Sequence, residues 1–370
     1  MKNNYDKINL LYADLKSTYG SYMYFRGLET ALKRNGLLHY AYEVTGKESL
    51  NMDELLKYPI LCIRGSWEPV IDVVKLISGR QFVAELNPES LLPITYSYLE
   101  RLQFFKYFCQ EKIKNLQISD CPKMFTKLIR KVFKKKKFRL NDYFEVLKDG
   151  EKYFDLYFSP VEEDLNRYFG KPCYWFPPWV HTELLDDIAK PISDKIGFIG
   201  GMSADRLRFF SQDKNKIIEI VRTIPQNDPV KDVKELGKLI NRYNYSVAPV
   251  GVRCRTITGK AYEYMACKRL CFCYLNEEYM FRSRLLFEDE KEIVYFKTFA
   301  ELEEKYRYYL KNPEETNQIA RAGYEKVRKY HNADVRARWF TEVILHHANG
   351  GEYDETYNNP YIYGGSNYVH

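Results

Sequence analysis

Short apolar runs alternate with helical patterns twice along this chain, and two adjacent prolines, Pro177-Pro178, divide the two series. Ile8-Asn9-Leu10-Leu11-Tyr12-Ala13 reads as a buried strand. A polar loop over 14–20 follows, then a helix over about 21–35 that Gly36 ends as C-cap glycines do. Further strands are expected at 39–43, 60–64, 81–85, 154–159 and 173–176. In the second series they fall near 195–200, 245–249, 270–274 and 293–296, with helices near 204–212, 231–242, 260–268, 299–310 and 313–330. Such alternation specifies an α/β chain with parallel, doubly wound sheets covered by helices on both faces. Neither a strand ladder nor a helix continues through two prolines. The boundary is therefore placed there, with a first domain over 1–180, a short helix over 182–189, and a second domain over 181–332. A last helix over 333–348 is expected to pack back toward the first domain. The tail over 349–370, rich in Gly, Asn and Tyr, is expected to be flexible. Two such domains face each other across a cleft, and ligands of these sheets sit at the carboxyl ends of the strands.

Composition agrees with this layout. The 370 residues exceed what one core usually organises, and 45% of them are hydrophobic. The net charge of +7 suits phosphates, nucleic acid or an anionic membrane without choosing among them. The eight cysteines form no Cys-x-x-Cys pair and lie in apolar runs such as Leu270-Cys271-Phe272-Cys273-Tyr274, which reads as free thiols in a reducing compartment. Neither they nor the six histidines have metal-ligand spacing, so no metal site is expected. The N-terminus lacks the apolar stretch of a signal peptide, and no segment approaches the roughly 20 apolar residues of a membrane span. A cytoplasmic protein is expected, with peripheral contact at the inner membrane face as an extension. That extension comes from 123–139, where Lys and Arg recur without an acid and apolar residues follow helical spacing. A basic amphipathic helix of this kind can lie on an anionic membrane, grip nucleic-acid phosphates, or simply pack by its apolar face.

The most informative segment is Arg255-Thr256-Ile257-Thr258-Gly259-Lys260-Ala261-Tyr262-Glu263, which follows a strand and opens a helix. Thr256, Thr258 and Gly259 at a helix start leave backbone N–H groups for an anion, and Arg255 and Lys260 add positive charge. Glu263, one turn in, can accept both hydroxyls of a ribose. Equally, it can favour the N-terminal dipole of an ordinary capped helix.

Glu263-Tyr264-Met265-Ala266-Cys267 resembles the Glu-Ala-Met-Ala-Cys-Gly segment of GT-B glycosyltransferases of the group 1 superfamily, and the surroundings resemble the spore-maturation CgeB-like branch. Further matching pieces are Phe198-Ile199-Gly200-Gly201, Arg206, Glu292-Ile293-Val294-Tyr295-Phe296, Asn312-Pro313-Glu314-Glu315, Ile319-Ala320-Arg321-Ala322-Gly323, Tyr330-His331 and Arg336. The resemblance covers about 195–345. It implies the GT-B fold, two Rossmann-like domains facing a central cleft, with the acceptor on the first and a nucleotide-sugar on the second. Glu263 would hold the ribose, and Thr256, Thr258, Gly259 and Lys260 would sit near the diphosphate. Gly200, Gly201 and Arg206 would border the donor. Arg255 and Lys268 depart from the pattern. Arg255 stands where many retaining members carry a first glutamate, and Lys268 stands where a glycine is expected.

The activity implied is transfer of a sugar, a UDP-sugar being expected, to a carbohydrate or lipid-linked acceptor, with no cofactor and no metal. The chain has no Asp-x-Asp motif, and fixed cations can stabilise the departing diphosphate, Arg255 among them. An inverting reaction would also need a base on the first domain. Asp14, Glu85 and Glu89 are the candidates, and Ser17, Tyr19 and Gly20 could contact the acceptor or cap a helix. Two other classes stay open: a nucleic-acid-binding or DNA-modifying protein using 123–139, and a nucleotide-sugar epimerase of the same fold.

Overall fold

The computed structural model describes residues 5–13, 19–44, 50–63, 70–86, 150–160, 171–185, 189–202, 204–222, 232–249, 257–275 and 283–358. The basic stretch 123–139 lies outside them. The first unit consists of β1 (Ile8–Ala13), α1 (Tyr19–Arg34), β2 (Leu38–Val44), α2 (Met52–Leu55), β3 (Ile60–Ile63), α3 (Val70–Ile77), β4 (Val83–Leu86), α4 (Gly150–Tyr153), β5 (Leu156–Ser159) and β6 (Cys173–Trp175). Its strands form one parallel sheet in the order β2-β1-β3-β4-β5-β6. Side chains alternate between its faces, as the two-residue strand period demands. Leu10, Leu61, Ala84 and Phe158 pack with Leu28, Ala31 and Leu32 of α1, while Leu11, Cys62, Val83 and Tyr157 pack with Val70, Val74 and Ile77 of α3. Gly36 ends α1 with φ +69°. Its N–H donates to Lys33 O, and the next N–H, of Leu37, to Leu32 O. This is a Schellman closure, which wants a residue without a Cβ at the left-handed position.

The second unit runs through β7 (Ser193–Gly200), α5 (Ala204–Phe210), β8 (Ile218–Arg222), α6 (Val233–Ile240), β9 (Tyr243–Ala248), α7 (Gly259–Ala266), β10 (Leu270–Tyr274), β11 (Val294–Phe296), α8 (Phe299–Lys311), α9 (Pro313–Tyr330) and α10 (Ala333–Ala348). The sheet is again parallel, ordered β11-β10-β9-β7-β8. Helix starts follow from local chemistry. Asp232 and Thr298 accept from the N–H groups of Glu235 and Glu301, and Pro313 opens α9. Gly323 lets α9 close on the sheet, since a Cβ there would strike the carbonyl of Glu292. The five described cysteines, Cys62, Cys173, Cys267, Cys271 and Cys273, are buried and form no disulfide with one another. No helix among the described residues is long and apolar enough to cross a membrane.

The chain returns to the first unit through α10, which packs on α1 and β1. Asp334 at its start accepts hydrogen bonds from Arg34 Nε (3.0 Å), Asn35 Nδ2 (2.9 Å) and Thr182 Oγ1 (3.0 Å). The passage between the two sheets is fixed by a buried Arg336. Its guanidinium donates to Pro177 O (3.2 Å), Pro178 O (3.3 Å), Tyr330 O (3.0 Å) and His331 Nδ1 (3.0 Å). Beside it the Val180 N–H donates to His331 O and the Ala333 N–H to Val180 O, a parallel bridge.

Several expectations need correction. The segment after the prolines is a 3-10 turn, Thr182–Leu185, among the described residues, not a helix over 182–189. Its Leu184 and Leu185 are drawn into the core, and Thr182 is held by Asp334. β8 lies in a stretch where no strand was expected. It is an edge strand whose residues are mostly half-buried, so its hydrophobic alternation is weak. The tail over 349–358 is not loose. Tyr353 and Tyr357 pack on Tyr174 with ring centroids 5.2 and 6.0 Å away, and the Asp354 N–H donates to Tyr174 Oη. Aromatic anchoring has no period to read. Residues 359–370 lie outside the described residues.

Replacing Arg336 with Met keeps the length of the side chain and removes every donor. The carbonyls of Pro177, Pro178 and Tyr330 then lose their charged partner, at a cost of about 1.5 kcal/mol or more for each such bond. Denaturant unfolding is expected to show a loss of about 3 kcal/mol or more. A loss under 1 kcal/mol would mean that the proline passage is held by other contacts.

Candidate active site

In the second sheet the strand order reverses between β7 and β9, and open parallel sheets bind ligands at such a switch point, beyond the strand ends. The ladder shows the opening. The last β7–β9 pair is Gly197 with Ser246, whereas β7 stays paired with β8 to Gly200 and β9 with β10 to Ala248. Helix α7 starts above this split. Thr258 stands at its N-cap with extended backbone, yet its hydroxyl makes no capping bond, and Oγ1 is buried without a partner among the described residues. The N–H groups opening an α-helix have no intrahelical acceptor, so those of Gly259 and Lys260 are directed at an anion position.

Two cations converge from opposite sides of the split. The Lys260 ammonium and the Arg206 guanidinium lie 5.8 and 5.5 Å from the centre of the buried Phe198 ring. Arg206 also donates to Gly201 O at 2.8 Å. Gly200 is tight against Lys260: a Cβ at 200 would lie 2.7 Å from Lys260 Nζ. Glu263 lies one turn further along α7, and its Oε2 is buried with no partner among the described residues. Burial pushes its pKa up, and the nearby Lys260 charge pulls it back. A desolvated polar atom left unpaired costs about 1–3 kcal/mol. A ligand that supplied hydroxyl donors to Glu263 would recover that cost.

The structure thus brings together Gly200, Gly201, Arg206, Thr258, Gly259, Lys260 and Glu263 at one strand-end crevice. Thr256 and Arg255 lie outside the described residues, as do Asp14, Glu89 and Ser17. The backbone of Tyr19 and Gly20 forms the first turn of α1. Glu85 is elsewhere, in β4 of the first sheet, fully buried beside Cys62, whose thiol is pushed up in pKa by burial first and by the Glu85 charge second. A base must reach an acceptor hydroxyl, and a carboxylate enclosed on the α3 face is poorly placed for that. His331, with ring centroids of Tyr262 and Phe287 5.3 and 5.2 Å away, belongs to the proline passage. Two contributors carried no assigned role in the sequence, Phe198 and Tyr264. Both read as core residues, and the only signal for Tyr264 was its bulk at a position where the resembling segment has Ala.

Residues 221–342, from the end of β8 to α10, match the family model described as Glycosyl transferase-like. The whole described architecture also resembles solved structures. A sucrose-phosphate synthase from Thermosynechococcus elongatus aligns over 91% of this chain and 98% of its own, with 13% identity and a TM-score of 0.54. The HepE protein of Anabaena, in complex with UDP, aligns over 91% and 99%, with 9% identity and a TM-score of 0.53. The chain has the GT-B fold, and its second unit is similar to glycosyl transferases. No curated protein sequence matches it.

The far end of α7 is as informative as its start. Lys268 adopts φ +56°, the left-handed position of a Schellman closure in which its N–H donates to Met265 O and the Arg269 N–H to Tyr264 O. Glycine is the residue that this geometry favours, and a side chain there costs roughly 1–2 kcal/mol. Lys268→Gly is therefore expected to raise stability by about 0.5–1 kcal/mol, after allowing for glycine's greater freedom when unfolded. Thermal unfolding checks this, and a drop in midpoint would contradict it.

Proposed function

We propose that this protein is a glycosyltransferase that transfers a sugar from a UDP-sugar to a carbohydrate or lipid-linked acceptor without a metal ion. The observation that carries the reading is the buried Glu263 Oε2, without a hydrogen-bond partner among the described residues, one turn above a helix start that faces the β7–β9 split. A ribose offers two adjacent hydroxyl donors, which is what a desolvated carboxylate lacks. The diphosphate would then meet the first-turn N–H groups of α7, with Lys260 and Arg206 beside it. In the HepE structures of the same fold the bound molecules are UDP, and UDP with glucose, which supports uridine as the first base to test.

In the mechanism, negative charge grows on the departing diphosphate as the glycosidic bond to it lengthens. Charges already fixed in place stabilise that charge without reorganising. Lys260 is held against Gly200 and Phe198, and Arg206 by Gly201 O and Phe198, so both are pre-positioned. Arg255, next to the same helix start in sequence, would add to them. If the reaction inverts, a base from the first domain takes the acceptor proton, and Asp14, which follows β1 directly, is the candidate to replace first. A lipid-linked acceptor would bring the basic stretch 123–139 to an anionic membrane surface, at the cytoplasmic face.

Glu263→Gln keeps the shape and removes the charge. It is expected to weaken UDP binding about tenfold to a hundredfold, the range for a charged hydrogen bond to a diol. Because it also relieves a buried charge, its thermal midpoint should stay level or rise. Unchanged UDP affinity by titration calorimetry would remove Glu263 from the site. Transfer activity should also persist in excess EDTA. Loss of activity that Mg²⁺ or Mn²⁺ restores would show that the cations described here do not suffice.

A further inference from the structure

The split between β7 and β9 is spanned by one side chain. Beyond the last rung, Gly197 with Ser246, the Ile199 N–H donates to Tyr264 Oη at 3.1 Å. Each strand is held on its outer side, β7 by β8 and β9 by β10, so no β7–β9 pairing defines the width of the split at its mouth. Tyr264 is fully buried on α7, which packs on α9, β10 and β9. We propose that Tyr264 is a positioning residue of the donor site. Its hydroxyl fixes the end of β7 relative to the first turn of α7, and through that spacing it sets the affinity for a nucleoside diphosphate.

Helix geometry gives the coupling its route. Lys260 and Tyr264 are four residues apart and so lie on one face of α7. That face touches β7 at two consecutive residues, Tyr264 at Ile199 and Lys260 at Gly200. Glu263, directly before Tyr264, turns the next direction around the helix. A shift of β7 against α7 therefore moves the Gly200–Gly201 turn, the Lys260 ammonium and, through Gly201 O, the Arg206 guanidinium together. An aromatic side chain suits this task because it has few torsions to fix and a polar tip that must find a partner when buried. Without the hydroxyl, the Ile199 N–H is left in the interior, and the strand end must move or admit water to satisfy it.

The inference rests on the donor-site reading above, and its test separates the two. UDP, GDP, dTDP and ADP are titrated into wild type, Tyr264→Phe and a control, Tyr245→Phe. Tyr245 loses a comparable buried bond, its Oη donating to Tyr309 O at 3.2 Å, but on the opposite face of the same sheet. Both variants are expected to lose thermal stability. Only Tyr264→Phe is expected to bind nucleotide more weakly, by about tenfold. Full nucleotide affinity in Tyr264→Phe, or an equal loss in both variants, overturns the positioning role while leaving the donor site in place. A wild-type chain that binds none of the four overturns the donor site and the positioning role with it. Should Tyr264→Phe not fold, the wild type supplies the readout. Coupling is reciprocal, so the bound nucleotide must slow amide exchange at Ile199, and unchanged exchange there overturns the proposal.

Discussion

The arrangement of the two sheets depends on how a buried cation is satisfied. Arg336 has no exposed surface, and its planar fork of donors meets backbone carbonyls and one imidazole. Pro177 and Pro178 bring carbonyls and no N–H groups, so they can only accept, and a buried stretch of this kind needs donors from outside itself. His331 completes the set. Burial, with the Arg336 charge beside it, pushes its pKa well below the usual imidazole range. The ring is then neutral, Nδ1 is free to accept, and the proton resides on Nε2. A protonated His331 would set two cations against each other in the interior. The prolines that break the strand series in the sequence are thereby tied to the corner between α9 and α10.

That corner also supports the proposed donor site. The ring of Tyr262 on α7 meets the ring of His331 edge-on, so the helix carrying Glu263 and Lys260 rests on the same junction that joins the sheets. The site itself is a case of polar groups held in readiness. Glu263 and Thr258 have oxygens withdrawn from water and left without a partner among the described residues, and Lys260 is confined by Gly200 and Phe198. Native structures rarely leave buried polar atoms unsatisfied, and where they do a ligand or catalytic role is a frequent reason. Burial raises the Glu263 pKa and Lys260 opposes the rise, so the cation proposed to meet the diphosphate also favours the charged form of the carboxylate.

Much of this was legible in the sequence, for identifiable reasons. Buried parallel strands such as Ile60–Ile63 and Leu270–Tyr274 are continuous apolar runs bounded by polar turns, and α8 and α9 carry their own start signals at Thr298 and Pro313. Lys260 and Glu263 could be placed because helix periodicity relates a helix start to the residue one turn on. What failed lacked a local code. β8 is an edge strand with little hydrophobic contrast, the 349–358 segment is held by rings from distant parts of the chain, and Glu85 looked available at a strand end although the pleat turns it into the α3-covered face. Tyr264 shows the limit most clearly. Its ring reads as core, and its hydroxyl acquires meaning only when a strand 65 residues away in sequence arrives beside it.

Helix α7 has only eight residues, and Ala261, Tyr262, Tyr264, Met265 and Ala266 are buried within it. Only Gly259, Lys260 and Glu263 are half-buried, so such a helix leaves little surface on which function could be separated from folding. Its binding groups are therefore distributed along the axis. Backbone N–H groups and Lys260 lie at the start, Glu263 and Tyr264 one turn in, and the left-handed Lys268 lies just past the end. A short helix closed at its end by a Schellman turn and packed on two strands is a stiff element, since sliding it would break the Lys268 and Arg269 hydrogen bonds to Met265 and Tyr264. Stiffness along this axis is what the proposed diphosphate site at one end and ribose site one turn away would require, because their separation is set by the ligand's own covalent geometry.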